Sequence, residues 1–376
     1  MEKITVLGSG MVGKAIAKDL SLNYEVTVVD INKKSLEPLK SEKNIKLVEA
    51  DLSSEKKIKK AVKNADLIIG AVPGFMGFKT LKAVIESGKN IVDISFFPED
   101  PFELDNLAKK YDVTAVTDCG VAPGMSNMIC GYHSTLMEIE SFECLVGGLP
   151  YERNLPFEYK APFSPVDVLE EYTRPARFVE NNSIITKPAL SDPEFINFKG
   201  IGTLEAFNTD GLRSLLKTMK IPNMKEKTLR YPGHRRLMEI FRDAGFLSDD
   251  PVKFGKEMIR PVDFTSKIIF PLWQPDPEQD EFTVMRITIK GRSDNKNTTI
   301  VYNMLDRFDK KSNISSMART TGYACTAVAN LLIDKKYTRK GISPPEYVGS
   351  DNNCFTSVIA YLKDRSIDYK VESVTK

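Results

Sequence analysis

The chain has 376 residues, long for a single hydrophobic core, so two domains are expected. Hydrophobic residues make up 41%, enough for a substantial interior, and 53 basic residues against 51 acidic leave a net charge of only +2. That balance argues against nucleic acid or a membrane surface as partner, and no apolar run approaches the length of a membrane span.

The chain opens on V-L-G-S-G-M-V-G. Ile4 to Leu7 reads as a buried strand, and Ala15, Ile16 and Leu20 give the following helix an inner face. Gly8, Gly10 and Gly13 fall between the two. A second strand, Glu25 to Val29, ends in an acid at Asp30. Strand, glycine turn, helix, second strand and acid together form a dinucleotide-binding fingerprint. Gly8 permits the tight turn, Gly10 lets the backbone approach a pyrophosphate, and Gly13 lets helix and strand pack closely. The helix N-terminus, from Ser9 through Met11 and Val12, offers free N–H groups and a positive dipole end. Asp30, with Ile31 beside it, stands where an acid binds the adenine ribose hydroxyls, which favours NAD over NADP. A glycine turn that only packs a helix on a sheet is the plainer alternative.

The alternation continues. Lys46 to Glu49 leads into a polar turn at Asp51, Leu52 and Ser53, then a lysine-rich helix whose charges read as a solvated face. Asp66 to Val72 is a nearly continuous apolar run, as a parallel strand buried on both faces requires. It ends at Pro73-Gly74, beside a helix expected from near Gly77. Asn90 to Ser95 and Val113 to Asp118 supply strands five and six. The result is a doubly wound α/β sheet with expected order 3-2-1-4-5-6. Ligands sit at the carboxyl ends of such strands, so Asp51 is placed near the adenine and Ala71, Val72 and Pro73 along the nicotinamide ribose. Asp93 and Asp118 are the acids nearest hydride transfer, and either could instead orient a loop. The turn Cys119 to Gly124 marks the exit from a first domain of residues 1–124.

From Met125 the βαβ rhythm breaks. Strands are expected at Phe142 to Gly148, Ser183 to Thr186, Phe195 to Phe198, Thr203 to Ala206 and Phe282 to Ile289. An amphipathic helix spans Arg235 to Arg242. These belong to a mixed α/β domain over 125–309. A C-terminal segment, 310–376, opens with Ser315 and Ser316 as N-caps of a helix from Met317 to about Ile333. Its small face, Ala318, Gly322 and Ala327, suits close packing against the first domain. The five cysteines, Cys119, Cys130, Cys144, Cys325 and Cys354, are odd in number and lack C-x-x-C spacing. They read as reduced thiols of a cytoplasmic protein with no metal site.

Ordered motifs run nearly end to end: AVPGFMGFKT from Ala71, VDISFFPED from Val92, DCGVAPGMSN from Asp118, VGGLP from Val146 and EEYTRPAR from Glu170. DGLRSLL from Asp210, TLRYPGH from Thr228, SSMARTTGY from Ser315 and GISPPE from Gly341 follow. Together they resemble the saccharopine dehydrogenase-like family, and within it the lysine 6-dehydrogenase branch. The resemblance implies that the C-terminal segment returns to the dinucleotide domain, that the middle domain binds substrate and carries a dimer contact, and that the protein is a homodimer or higher homo-oligomer. Two departures from the saccharopine reductases favour the lysine branch. Gly74 follows the strand-four proline where reductases carry tyrosine, and the TLRY segment runs on through Pro232 to His234.

The implied reaction is NAD-dependent oxidative deamination of the ε-amine of L-lysine to the 6-semialdehyde. Its ammonium form, with a pKa of about 10.4, must lose a proton before hydride can leave. Asp93, Asp118, Glu171 and His234 are the nominated acid–base groups; His234 could equally be a helix cap, and His133 reads as structural. Arg213, Arg230 and Arg174 are candidates for the substrate carboxylate, since a guanidinium fork matches it, although each could form an internal salt bridge. Tyr172 and Thr320 are further contact candidates. Cys119 beside Asp118 reads more simply as a buried core residue. The alternatives are a saccharopine- or carboxynorspermidine-forming reductase, a dinucleotide-sensing regulatory module without the middle motifs, and a scaffold that has lost activity.

Overall fold

The computed structural model describes residues 1–276 and 279–375 and divides into two compact units. The first holds residues 1–137 and 317–368, the second 138–316 and 369–376.

In the first unit, β1 (Lys3–Leu7), β2 (Glu25–Asp30), β3 (Ile45–Glu49), β4 (Leu67–Gly70), β5 (Asn90–Asp93) and β6 (Thr114–Val116) form one parallel sheet in the expected order 3-2-1-4-5-6. Beyond β6 lies a seventh strand, Gly341–Ser343. It comes from the C-terminal segment and had no sequence signature. Ile4, Val6, Leu7, Val28, Ile68, Ile69 and Val92 are buried, as a sheet covered on both faces demands. The helix after β4 begins at Gly74 and runs to Glu86, three residues before the expected Gly77, because Pro73 supplies an extended N-cap at φ −54°, ψ 150°.

The C-terminal segment is tied to this unit at three places. Gly322 of helix Ser316–Ile333 brings that helix against Ile16, Val12 and Ala15, where a Cβ would lie 3.2 Å from Ile16. Buried Asp19 accepts from Thr326 (2.6 Å), Tyr361 (2.7 Å) and Arg365 Nε (2.7 Å). Helices Met125–Ser134 and Pro345–Gly349 pack through glycines: a Cβ on Gly131 would lie 2.1 Å from the Glu346 carbonyl oxygen, and one on Gly349 2.1 Å from that of Met128. The boundaries therefore differ from the sequence expectation. Helix Met125–Ser134 belongs with the first unit, and the final strand, Tyr369–Thr375, pairs in the second.

The second unit is built on a mixed sheet. Its strands are β7 (Glu138–Pro150), β8 (Ala176–Glu180), β9 (Ser183–Lys187), β10 (Glu194–Phe198), β11 (Gly202–Asn208), β12 (Asn223–Arg230), β13 (Glu281–Ser293), β14 (Lys296–Arg307) and the terminal Tyr369–Thr375. The main path runs β10, β11, β12, β7, β13, β14 and the last strand; β8 pairs β12 and β9. Only β12 and β7 run parallel. Helices Pro165–Thr173, His234–Asp243 and Pro261–Trp273 enclose with it a core containing Tyr172, Phe207, Leu229, Trp273 and Phe282. Strands β8, β12 and β14 were not expected from the sequence. Among the described residues no helix is long and apolar enough to cross a membrane, and no group of three or more His, Cys, Asp or Glu side chains is arranged to hold a metal. All five cysteines are buried free thiols.

Candidate active site

The glycine turn of the first unit is shaped by its neighbours. Gly8 has φ +106°, and a Cβ there would sit 2.2 Å from the Ala71 carbonyl oxygen. A Cβ on Gly13 would sit 2.3 Å from the Gly8 carbonyl oxygen. Gly10 is different: a Cβ would meet nothing within 4 Å. Its bareness serves no packing, and leaves the backbone open to a close-approaching ligand. Gly10 is the N-cap of helix Met11–Ser21, with no side-chain cap and no acid in the first turn. The terminal N–H groups and the helix dipole are thus available to an anion such as a pyrophosphate.

Asp30 ends β2 with its carboxylate turned to this turn. Oδ2 accepts from the Ser9 backbone N–H (2.7 Å) and hydroxyl (2.9 Å), and Oδ1 from the Asn32 N–H (2.8 Å). Ser9 also meets the Ser35 hydroxyl at 2.5 Å. Ile31 beside it is 64% exposed. Asp51 is partly exposed, and hydrogen bonds from Ser53 hold its carboxyl below the usual range. Leu52 faces inward with Val29 and Ile58, as does Val72. Ala71 donates its N–H to Leu7 (2.9 Å), which presses its carbonyl against Gly8; exposed Pro73 follows. This set of residues fits a dinucleotide.

At the far ends of β5 and β6 are two buried acids. Asp93 Oδ1 accepts from the Ser95 N–H at 2.7 Å, while Oδ2 has no hydrogen-bond partner. Gly70 on β4 makes room for it, since a Cβ there would lie 2.8 Å from the carboxyl carbon. Burial raises the Asp93 pKa to about 7, helped by nearby Asp118 and opposed by the Ser95 hydrogen bonds. Asp118 takes φ +53° at the end of the β6 segment. Burial pushes the Cys119 thiol far up, so Cys119 is an inert core residue. Thr320 is fully buried on its helix, its hydroxyl 3.4 Å from the Met317 carbonyl.

In the second unit Glu171, Tyr172 and His234 gather about Arg230. Its Nε–H donates to the Tyr172 oxygen (2.9 Å), Nη1 to the Leu229 carbonyl (3.0 Å), and Nη2 to Glu171 (3.0 Å) and the Tyr159 oxygen (3.4 Å). The Phe157 carbonyl, 2.9 Å from His234 Nδ1, can only accept, so Nδ1 carries the proton. Nε2 then accepts from the Tyr172 hydroxyl at 3.0 Å. A directed chain runs from Arg230 through Tyr172 and His234 to Phe157, with Trp273 edge-on to Tyr159 and Tyr172.

This arrangement revises two roles. Burial, with Arg230 adding to it, lowers the His234 pKa to about 3. With that pKa the His234 ring is neutral at pH 7 and accepts from Tyr172. Arg230, with four of its five N–H groups engaged, has no fork left for a planar carboxylate; it is an internal ion-pair partner. Arg174 is likewise paired, with Glu170 one helical turn away. Glu171 keeps 21% of its side chain exposed; burial of its carboxyl end raises its pKa, against the pull of Arg230.

Arg213 lies in the loop Asp210–Ser214 at φ +53° and is buried. Asp210 of that loop accepts from Arg177 N–H, Nε and Nη2 at 3.2, 2.9 and 2.8 Å. Sequence reasoning missed Glu226, Tyr159 and Asp210 as members of this cluster. Glu226 is 7% exposed, with its pKa raised to about 8 by burial, then by Glu171 and Asp210. A depression of about 350 Å³, lined by Tyr151, Arg153, Tyr231 and Phe282 among others, contains none of the nominated residues.

The family described as the saccharopine dehydrogenase NADP binding domain matches residues 4–116, and the saccharopine dehydrogenase C-terminal domain matches 120–367. The mitochondrial alpha-aminoadipic semialdehyde synthase of Mus musculus is 27% identical over 267 residues, 66% of this chain and 28% of that protein. The saccharopine dehydrogenase (NADP(+), L-glutamate-forming) of Pyricularia oryzae is 26% identical over 284 residues, 71% of this chain and 63% of that one. The chain thus spans less than two thirds of either relative. Among solved structures, saccharopine dehydrogenase (L-Glu forming) from Saccharomyces cerevisiae shares the fold with a TM-score of 0.80 at 18% identity, covering 100% of both chains. Homospermidine synthase from Legionella pneumophila, in complex with NAD, gives 0.69 at 13% identity over 99% of this chain and 91% of that one. With both domain families matched in order, an NAD(P)-binding domain is present and the chain belongs to the saccharopine dehydrogenase family.

Proposed function

We propose that this protein is an NAD-dependent dehydrogenase that oxidises the ε-amine of L-lysine to the 6-semialdehyde with release of ammonia. Gly74 is the observation that carries this choice within the family. It stands directly after Pro73, where the saccharopine reductases carry a tyrosine, and it starts the helix Gly74–Glu86. Asp30 supports NAD, since its carboxylate would face the extra phosphate of NADP with like charge.

Bound NAD supplies the hydride acceptor. The chain's own task is to bring the amine to its neutral form, because the nitrogen lone pair must form the C=N bond as hydride leaves. Asp93 suits proton acceptance near neutrality: it is buried, one oxygen has no partner, and its pKa is about 7. Arg213, nominated from the DGLRSLL motif, is proposed for the α-carboxylate. Water adds to the imine, so lysine, NAD and water give semialdehyde, NADH, ammonium and one proton.

The second reading is a saccharopine-cleaving or -forming reductase, favoured by the names of the relatives from Pyricularia oryzae and Saccharomyces cerevisiae. NADH absorbance with L-lysine and with saccharopine, each with NAD and with NADP, separates the two. Lysine-dependent NADH with stoichiometric ammonia supports the proposal. Turnover of saccharopine alone overturns it.

A further inference from the structure

Helix Pro261–Trp273 is apolar on two sides. Thr265, Ile269 and Trp273, spaced by four, are buried in the second unit. Phe264, Ile268 and Leu272, also spaced by four, make a second row that faces water. A helix that is hydrophobic all round is ordinarily covered all round, and leaving such a row uncovered costs free energy. The segment just before the helix repeats the pattern. Val252–Phe254 and Glu257–Ile259 form a two-stranded ribbon that, among the described residues, pairs with neither of the larger sheets. It also sets Val252, Phe254 and Met258 in water. Ribbons of two strands are marginal in water unless something packs on them. Only Arg260 separates ribbon from helix, so the two features adjoin.

The six side chains are between 48% and 74% exposed. With about 150–250 Å² for a whole aromatic side chain and less for an aliphatic one, they present about 700 Å² of apolar surface. The largest patch on a typical monomer is about 300–600 Å², whereas each side of a stable interface covers about 800 Å². Charge decides what covers it. From Asp249 to Lys267 the segment carries four acids and four bases, all of them exposed. A balanced rim lacks the excess of lysine and arginine with which an interfacial helix binds an anionic bilayer. Turned on itself about a two-fold axis, the same rim brings each sign within reach of its opposite. We propose that helix Pro261–Trp273 and the 252–259 ribbon form the face through which two copies of this chain associate, with Phe254, Phe264 and Ile268 as its apolar anchors. The partner copy replaces water on the exposed row and supplies the packing that the ribbon lacks. The inference goes beyond the proposed reaction, which needs no second copy, and the two stand or fall separately.

The test is sedimentation equilibrium of the full chain over a dilution series, with amide hydrogen exchange read by mass spectrometry. The wild type should be dimeric. Phe264→Glu and Ile268→Glu should each weaken association about 30-fold or more. Ile184→Glu, which places the same charge on an exposed apolar position of β9, should not. Trp273 is the single tryptophan and is fully buried at the end of the helix, so unchanged emission shows that a variant keeps the helix seated. Where the emission does shift, Phe254→Glu on the ribbon, away from the core, takes the place of that variant. Amides of residues 252–254 and 257–259 should exchange faster in the dissociated variants than in the wild-type dimer. The proposal is overturned if the wild type is monomeric, including the case in which it sediments instead with phosphatidylcholine–phosphatidylserine vesicles. It is overturned equally if the folded variants associate as the wild type does, if Ile184→Glu dissociates as readily, or if the ribbon exchanges alike in dimer and monomer.

Discussion

Replacing Asp93 by asparagine tests the most consequential charge in the first unit. The carboxyl is wholly buried at the end of β5, accepts one hydrogen bond from Ser95, and leaves Oδ2 without a partner. Burial and the nearby Asp118 carry its pKa from 3.8 to about 7. The native state therefore keeps this proton up to about pH 7, whereas the unfolded chain releases it near 3.8. Between these values the native state binds more protons, so stability falls as pH rises; the contribution is complete below pH 3.8 and gone above 7. At about 1.36 kcal/mol per pH unit, the whole excursion is about 4 kcal/mol. Asparagine keeps the shape and cannot titrate. Its buried Nδ2 adds a pH-independent cost of about 1–3 kcal/mol. Urea denaturation of wild type and Asp93→Asn at half-unit steps from pH 4 to 8 reads the difference directly. Both histidines have lowered pKa values and act in the opposite sense, but they cancel in that difference. The wild type should lose its advantage progressively across the window. A difference that stays flat from pH 4 to 7.5 would refute the assignment and, with it, the choice of Asp93 as the proton acceptor.

Gly10→Ala should leave stability near wild type, since a Cβ there meets nothing within 4 Å, and should abolish NADH binding measured by fluorescence; Gly8→Ala should instead destabilise by about 2–4 kcal/mol through its positive φ and the clash with Ala71. Arg230→Met strands Glu171 and Tyr172 and should cost about 3–5 kcal/mol of unfolding free energy, while the double variant with Glu171→Leu should recover part of it. The ring signals of the two histidines should stay fixed between pH 5.5 and 8 by NMR, because burial lowers His133 to about 4 and His234 to about 3. Asp30→Ala should weaken NAD binding about 10- to 100-fold and narrow the gap to NADP, checked by titration with both dinucleotides.

Legibility in this chain followed how local the physics is. The glycine turn was readable because turn, helix and acid are neighbours in sequence, although the reason for Gly8 is partly a contact with Ala71 that only the strand order creates. Strands β1, β4, β5 and β6 were readable because burial on both faces leaves an apolar run. The seventh, Gly341–Ser343, is three residues long and carries no period; its place comes from the Gly341 N–H bonding to the Val113 carbonyl at 2.9 Å. Domain boundaries failed where the chain crosses between units: helix Met125–Ser134 stays with the first unit through the glycine contacts of Gly131 and Gly349, a tertiary fact.

Strand β12 shows why the second site resisted sequence reading. N-M-K-E-K-T-L-R has the composition of a solvated face, yet it lies inside the sheet between β11 and β7. On one side Lys227 reaches Glu194 and the Asp192 carbonyl (2.6 Å), and Lys225 reaches Glu143 at 2.8 Å. On the other, Arg230 is held by Glu171 and two tyrosines. These long-range partners offset the desolvation of each charge, and no window of sequence contains them.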